Sequence, residues 1–354
     1  MRSQLVLAFC FVAGFHSLAQ TANAPPQGLP KDPRAILAAA APFYDFSDPA
    51  LKPWHLKASY QLYDDKGNPS EQGSFEYWWA APRVYRSTWS RPGAAHTDWY
   101  TADGKYAYLS AGAGFSYFEY KLQSAFLSPL PDAGDLDATK IRLDREELKM
   151  GNTKLPCVMV IPLMPQHGQP QVVPLGLFPT YCFDPILPAL RIKYSFATIT
   201  EGFDAIAKVQ GRFLPKEVVF FDGKREILSA KIESVEGLSP SNPALTPDPR
   251  ATHPGIEEVQ VSAAVAVGQL IKKVIPIYPQ DAKDARVSGK VVLGATIGRD
   301  GRVHDMHVIE APWPSLVASA MWAVSQWEYK PYLLQSGEAV EVDTTINVFY
   351  TLGN

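Results

Sequence analysis

Three groupings of polar residues in this 354-residue chain have types and spacings that chemistry can use. Asp144, Glu146 and Glu147 offer carboxylates for acid–base work. Asp64, Asp65 and Asn68 place oxygen ligands as the start of a calcium loop does. His304 and His307 stand three apart, a spacing that aligns two metal ligands on a helix. None of the three carries through. The carboxylates sit in a charged stretch expected to be a solvated helical face. The loop lacks the later ligands and the bidentate Glu, and Asp64 to Pro69 has the composition of a turn. The two histidines fall in a strand, where odd spacing sends them to opposite faces. Gly112-Ala113-Gly114 lacks the third glycine and following helix of a dinucleotide loop. No Gly-x-Ser-x-Gly elbow, Gly-Lys-Ser/Thr phosphate loop or His paired with Ser or Cys is legible. The sequence assigns no catalytic residue, cofactor or metal and points away from an enzyme.

Cysteine usage concerns stability and compartment. Cys10 lies in the first segment, which leaves Cys157 and Cys182 as an even pair, 25 positions apart in apolar runs. Export to an oxidising compartment favours a bridge between them; two buried free thiols are the other reading. Export itself is expected from the start of the chain. Arg2 precedes an apolar run from Leu5 to Phe15, and Ser17-Leu18-Ala19 supplies small residues for cleavage. The run is about half the ~20 residues that a membrane span needs. Residues 1–19 therefore read as a signal peptide of a periplasmic protein, the alternative being a short anchor retained in the inner membrane. Net charge is −3 with no basic stripe, so nucleic acid is not an expected partner.

The elements that must position any site fall into two groups around a break. Residues 20–50 form a Pro- and Ala-rich lead, with one short helix expected over Ala35–Ala41. Residues 51–235 read as short strands at 8–12-residue spacing, an antiparallel barrel or half-barrel. Trp54, Leu56, Ala58, Tyr60 and Leu62 alternate, as do Phe75, Tyr77 and Trp79. Other strands are expected at Phe115–Leu122 and Ile206–Phe213, and the one helix of this region within Asp132–Leu148. Its aromatic density can fill a core or line an apolar cavity. Adjacent Trp78 and Trp79 place one Trp on each face of their strand. Residues 236–257, with Pro240, Pro243, Pro247, Pro249 and Pro254, read as a semi-rigid linker of roughly 60 Å reach. Hydrophobic content of 46% suffices for a core on either side.

Residues 258–354 carry the clearest pattern. Val291, Leu293, Ala295 and Ile297 alternate; Arg-Asp-Gly-Arg at 299–302 signals a hairpin; Val303 to Ile309 returns. Leu316, Val317, Ala320, Met321, Val324 and Trp327 recur at helical spacing, and Val340, Val342, Thr344, Ile346, Val348, Tyr350 and Leu352 alternate again. This order gives a three-stranded antiparallel sheet with a helix on one face, so the fold class is α+β.

The residues Pro276, Tyr278 and Pro279, then Gly289 and Gly301, then Trp327, Tyr329 and Pro331, stand in the order of a known family. This segment resembles the C-terminal domain of TonB, the periplasmic end of an energy transducer acting on outer-membrane transporters. The resemblance implies protein binding without chemistry, and a transporter segment added as a strand along Val340, Val342, Thr344, Ile346, Val348 and Tyr350. Alternatively, that strand simply completes its sheet, or is buried against a second copy in a homodimer. Residues 51–235, with Ala81-Pro82-Arg83 and Ala102–Tyr108, resemble the periplasmic lipoprotein carrier (Lol-type) half-barrel, which implies an apolar ligand or lipid in that domain. Two functions follow: an envelope interaction module associated with transport across the outer membrane, or a carrier or sensor of an apolar ligand.

Overall fold

Twelve strands form one continuous antiparallel sheet in a computed structural model that describes residues 28–163, 173, 175–195, 199–252, 259–260, 269–298, 301–333 and 339–352. The expected signal peptide, the Arg299-Asp300 turn centre and Phe196 lie outside the described residues. The strands are β1 (Trp54–Tyr63), β2 (Pro69–Ala81), β3 (Val84–Arg91), β4 (Ala94–Tyr100), β5 (Tyr106–Ala111), β6 (Ile141–Met150), β7 (Thr153–Pro162), β8 (Thr180–Phe183), β9 (Leu190–Tyr194), β10 (Ile199–Val209), β11 (Arg212–Asp222) and β12 (Arg225–Gly237). They pair in the order β5-β4-β3-β2-β1-β12-β11-β10-β9-β8-β7-β6, so β5 and β6 are edges and the half-barrel is not closed.

Alternation decides what each face does. Trp54, Leu56, Phe75, Tyr77, Val158, Phe183, Phe220 and Leu228 point to one face and are buried there. Two helices cover that face: α1 (Pro33–Ala40), N-capped by the Asp32 carboxylate, and α2 (Tyr117–Leu127). Helix α2 occupies a stretch expected as a strand. Its start is fixed by a capping box, in which Ser116 Oγ accepts from Glu119 N–H and the Glu119 carboxylate accepts from Ser116 N–H at 2.6 Å. The helix expected within Asp132–Leu148 is absent; its second half is edge strand β6, and Ala133–Leu136 is a single 3-10 turn. Charges along β6 suit an edge, where they deter unwanted pairing. The expected Ile206–Phe213 strand is also two strands, because Gln210 (φ 48°) and Gly211 (φ 85°) turn the chain between β10 and β11.

Residues 239–252 do not form a free spacer. They cross the uncovered face of β2 to β5 as a strap. Leu238 N–H donates to Pro53 O at 2.9 Å, and Trp99 Nε1–H to Ala244 O at 3.0 Å. Thr252 exchanges two backbone bonds with Tyr108, and Ala251 packs against Trp99 and Ala107. Its four prolines, Pro240, Pro243, Pro247 and Pro249, remove backbone donors but leave apolar rings and carbonyls that a strand face can hold.

The C-terminal part has β13 (Gly289–Ile297), β14 (Val303–Glu310), α3 (Pro314–Val324) and β15 (Val342–Tyr350). Strand β13 is central, antiparallel to both β14 and β15. Leu316, Val317, Ala320, Met321 and Val324 of α3 pack on Val291, Leu293, Ile297, Ile346 and Val348. Met159 and Ile161 of β7, with Phe178, join the same cluster, so this unit is docked on the half-barrel through shared apolar burial.

Candidate functional site

The outer flank of β15 is the candidate partner-binding edge. Val342, Thr344, Ile346, Val348 and Tyr350 point inward and are buried, while Thr345, Asn347 and Phe349 point outward and are exposed. One side of β15 is fully paired with β13, from Gly289↔Tyr350 to Ile297↔Val342. On the other side Val259–Gln260 run parallel against Val342–Asp343 only. Among the described residues, 344–350 have no strand partner on that side. The buried inward row pins β15, since a one-residue slip would expose all five side chains. Val340, expected in the same strand, is not part of it. It pairs with Tyr332, and the chain breaks its strand at Glu341 before β15 begins.

The signature residues act as the frame of this edge. Gly301 (φ 75°) closes the β13–β14 turn, and a Cβ there would lie 2.0 Å from Tyr329 O. Tyr329, 2% exposed, donates its backbone N–H to Gly301 O at 2.7 Å, and Pro331 packs beside the same glycine. Trp327 Nε1–H donates to Val274 O at 2.8 Å, which ties down the irregular stretch containing Pro276. Tyr278 donates its hydroxyl to Val287 O and meets the Tyr350 ring edge-on at 5.3 Å. Pro279 precedes the short helix Gln280–Asp284, and Gly289 starts β13 against the Pro312 ring.

A second candidate lies in the half-barrel. A cavity of about 1080 Å³ opens between α1, the turn after it and the aromatic stretch of β2 and β3. Leu37, Tyr44, Phe46, Tyr77, Trp79 and Tyr85 form apolar walls, with Arg34, Arg83, Asp45 and Asp132 also lining it. Trp79 faces this cavity; Trp78 lies on the opposite face, stacked on His55 at 4.3 Å under the Arg86 guanidinium. Other rings, such as Phe75, Trp54 and Trp89, fill the core. Tyr44 OH accepts from Leu190 N–H at 2.7 Å, and burial pushes its pKa up to about 12.

Polar groups elsewhere are tied up structurally. Glu119, 1% exposed, takes Tyr60 OH at 2.7 Å and faces Arg91 at 3.5 Å; burial, then Glu119, raise the Tyr60 pKa far above its ordinary value. Asp144 pairs with Arg142, and Glu147 with Lys154, along exposed β6. Asp64 closes its turn by accepting from Lys66 and Asn68 N–H. Cys157 and Cys182 face each other on β7 and β8 and are bridged. A relay unseen in the sequence joins Ser110 Oγ to His96 Nδ1 at 2.6 Å, and His96 Nε2 to Asp98 Oδ1 at 2.9 Å. The register His96↔Ser110 creates it; spacing of 14 in sequence gives no sign of it. Ser110 sits on exposed edge strand β5, outside the cleft that His96 and Asp98 line, so the relay is a cross-strand brace.

No curated protein matches the chain. Solved structures similar to it include a DUF1329 family protein from Desulfovibrio piger, 13% identical, covering 61% of this chain and 100% of that one with a TM-score of 0.37. A LolA superfamily protein from Nitrosomonas europaea is 6% identical, covering 60% of this chain and 97% of that one with a TM-score of 0.34. The edge strand, its glycine-closed hairpin and the Trp327–Tyr329 frame all lie within residues 275–352, and those residues match the family of Gram-negative bacterial TonB protein C-terminal domains.

Proposed function

We propose that the protein is an exported, periplasmic envelope protein that captures an extended segment of an outer-membrane transporter, or of another envelope protein, as an added strand along β15. The observation carrying this reading is the flank at 344–350, which has no strand partner among the described residues, beside a buried inward row that holds the strand in place. Main-chain bonds to that flank contribute roughly 1 kcal/mol each, and the outward Thr345, Asn347 and Phe349 give alternate positions for side-chain selection. If residues 1–19 are retained, the same edge operates from the inner membrane.

The test uses the Asn347→Cys variant and synthetic peptides covering the periplasm-facing N-terminal segments of the source bacterium's outer-membrane transporters, each with one Cys moved along it. Crosslinking should alternate with a period of two along the bound peptide, and amide exchange should slow at 344–350. Crosslinks without periodicity, or protection at another part of the surface, would overturn strand addition at β15.

A second reading, carriage or sensing of an apolar ligand, is favoured by the cavity beside α1. A fluorescent fatty-acyl probe should bind the full chain, and Ala38→Trp, at an exposed position that lines the cavity, should weaken binding without unfolding the protein. Equal binding by that variant would remove this reading.

A further inference from the structure

The hairpin between β8 and β9 turns on Asp184-Pro185-Ile186-Leu187-Pro188-Ala189, and its two largest side chains face water: Ile186 is 53% exposed and Leu187 52%. A turn in water ordinarily takes Gly, Asn, Asp or Ser at its tip, as the turn at Gly151-Asn152 does. Here a carboxylate holds the shape while the tip itself is apolar. Asp184 Oδ1 accepts from Ile186 N–H at 2.9 Å and from Leu187 N–H at 3.1 Å, and Asp184 N–H donates to Ala189 O at 2.8 Å. The base of the hairpin is fixed by the Cys157–Cys182 bridge and by Leu190 N–H, which donates to Tyr44 OH. A stiff support therefore presents the apolar pair outward.

A second apolar tip lies at the same end. Strands β6 and β7 turn after Met150↔Thr153, and the register Cys157↔Cys182 sets that turn alongside Ile186-Leu187. Met150 is 50% exposed, and Lys149 and Lys154 face each other beside it. Lys154 pairs with Glu147, whereas Lys149 has no ion-pair partner among the described residues. Arg191, behind the first tip, pairs with Asp204. The chain also enters the fold here. A Cβ on Gly28 would lie 3.4 Å from Pro185 O, and residues 16–27, between the apolar run Leu5–Phe15 and Gly28, span at most about 43 Å.

Convex apolar side chains with lysines beside them match hydrocarbon under anionic headgroups. A protein partner would need a pocket shaped for each tip, whereas a bilayer surface accepts both without a matching shape. We propose that this end of the half-barrel seats on a phospholipid bilayer carrying anionic lipid. Ile186, Leu187 and Met150 enter the headgroup boundary, and Lys149 and Lys154 meet headgroup phosphates. Tyr44 lines the apolar cavity and is bonded to the base of the tip, so the seated tip brings that cavity next to lipid.

The experiment is sedimentation of the full chain with sucrose-loaded vesicles, of phosphatidylcholine alone and of phosphatidylcholine mixed with phosphatidylglycerol. Residues 1–19 are omitted so that their apolar run cannot account for binding. The mixed vesicles should carry the protein down. Ile186→Ser with Leu187→Ser should weaken partitioning about tenfold, with circular dichroism and melting unchanged because both side chains are exposed. Lys149→Gln should weaken it about three- to fivefold, on the mixed vesicles alone. Leu163→Ser, which removes an exposed leucine at the opposite end of β7, should leave it unchanged. An environment-sensitive dye on Leu187→Cys should shift to the blue with vesicles, and the same dye on Leu163→Cys should not. Absence of vesicle binding, equal binding to the two vesicles, binding undiminished by the double variant, or a dye shift at 163 and not at 187 would overturn the proposal.

Discussion

Replacing Cys157 and Cys182 together by Ala should lower the melting temperature of the half-barrel without disturbing its fold. The bridge closes a loop of 25 positions between adjacent strands β7 and β8. On the chain-entropy model, closing such a loop in the unfolded state stabilises the fold by roughly 3.5 kcal/mol. For a unit of this size that corresponds to roughly 7–14 °C. Both sulfurs are fully buried with Leu155, Leu148, Ile192 and Tyr194 near them, so Ala removes little else. Ser at the same positions would bury two hydroxyls and cost about 1–3 kcal/mol more for each left unpaired. Differential scanning calorimetry of the oxidised protein, the reduced protein and the double-Ala variant separates these contributions. The reduced and double-Ala forms should melt together, below the oxidised form. A double-Ala variant melting within about 2 °C of oxidised protein, well short of that entropic range, would refute the loop-entropy argument. A shift confined to the C-terminal unit would refute the placement of the bridge.

Gly301→Ala should destabilise the C-terminal unit by several kcal/mol, roughly the sum of a positive-φ penalty and a backbone shift, because its Cβ would meet Tyr329 O at 2.0 Å. Chemical denaturation checks this, and an effect under about 1 kcal/mol would mean the turn relaxes freely. Burial raises the Tyr44 and Tyr350 pKa values to about 12. Their neutral form is favoured in the fold, so this contribution is fully present below the unfolded value near pH 10 and is lost as pH rises from 10 to 12. Urea melts between pH 9 and 12 should show that decline, and Tyr44→Phe should reduce the half-barrel's share of it, the rest coming from other buried tyrosines such as Tyr60 and Tyr77.

What was legible in the sequence follows from where local pattern and tertiary setting agree. The β13–β14–α3–β15 order was readable because one buried face per element imprints a clean period on Val291–Ile297, Leu316–Val324 and Val342–Tyr350. The aromatic run Phe115–Leu122 looks like a strand by composition, yet Ser116 and Glu119 hold the capping-box spacing that marks α2. Charges along Arg142–Lys149 suggest a helical face, but an edge strand needs them equally. Gln210-Gly211 was the overlooked break between β10 and β11. At the site, the inward and outward rows of the last strand were readable from alternation, but neither its free flank nor its start after Val340 was, since both are tertiary choices of pairing. The apolar tips at Met150 and Ile186-Leu187 join residues far apart in sequence at one end of the half-barrel, which no local pattern can announce.

The strap at 239–252 bears on how force would pass through the molecule. A pull on β15 from a captured strand must first separate the docked units at Met159, Ile161 and Phe178. The next contacts in line are the Thr252–Tyr108 pair and the Trp99–Ala244 bond, met one after the other rather than together. Contacts loaded in sequence yield at lower force than contacts sharing it. Fully extended, the 14 residues of the strap span at most about 45–50 Å, and the reserve is that length less the distance they already cover across β2 to β5. The half-barrel would then feel tension only after that length has been drawn out.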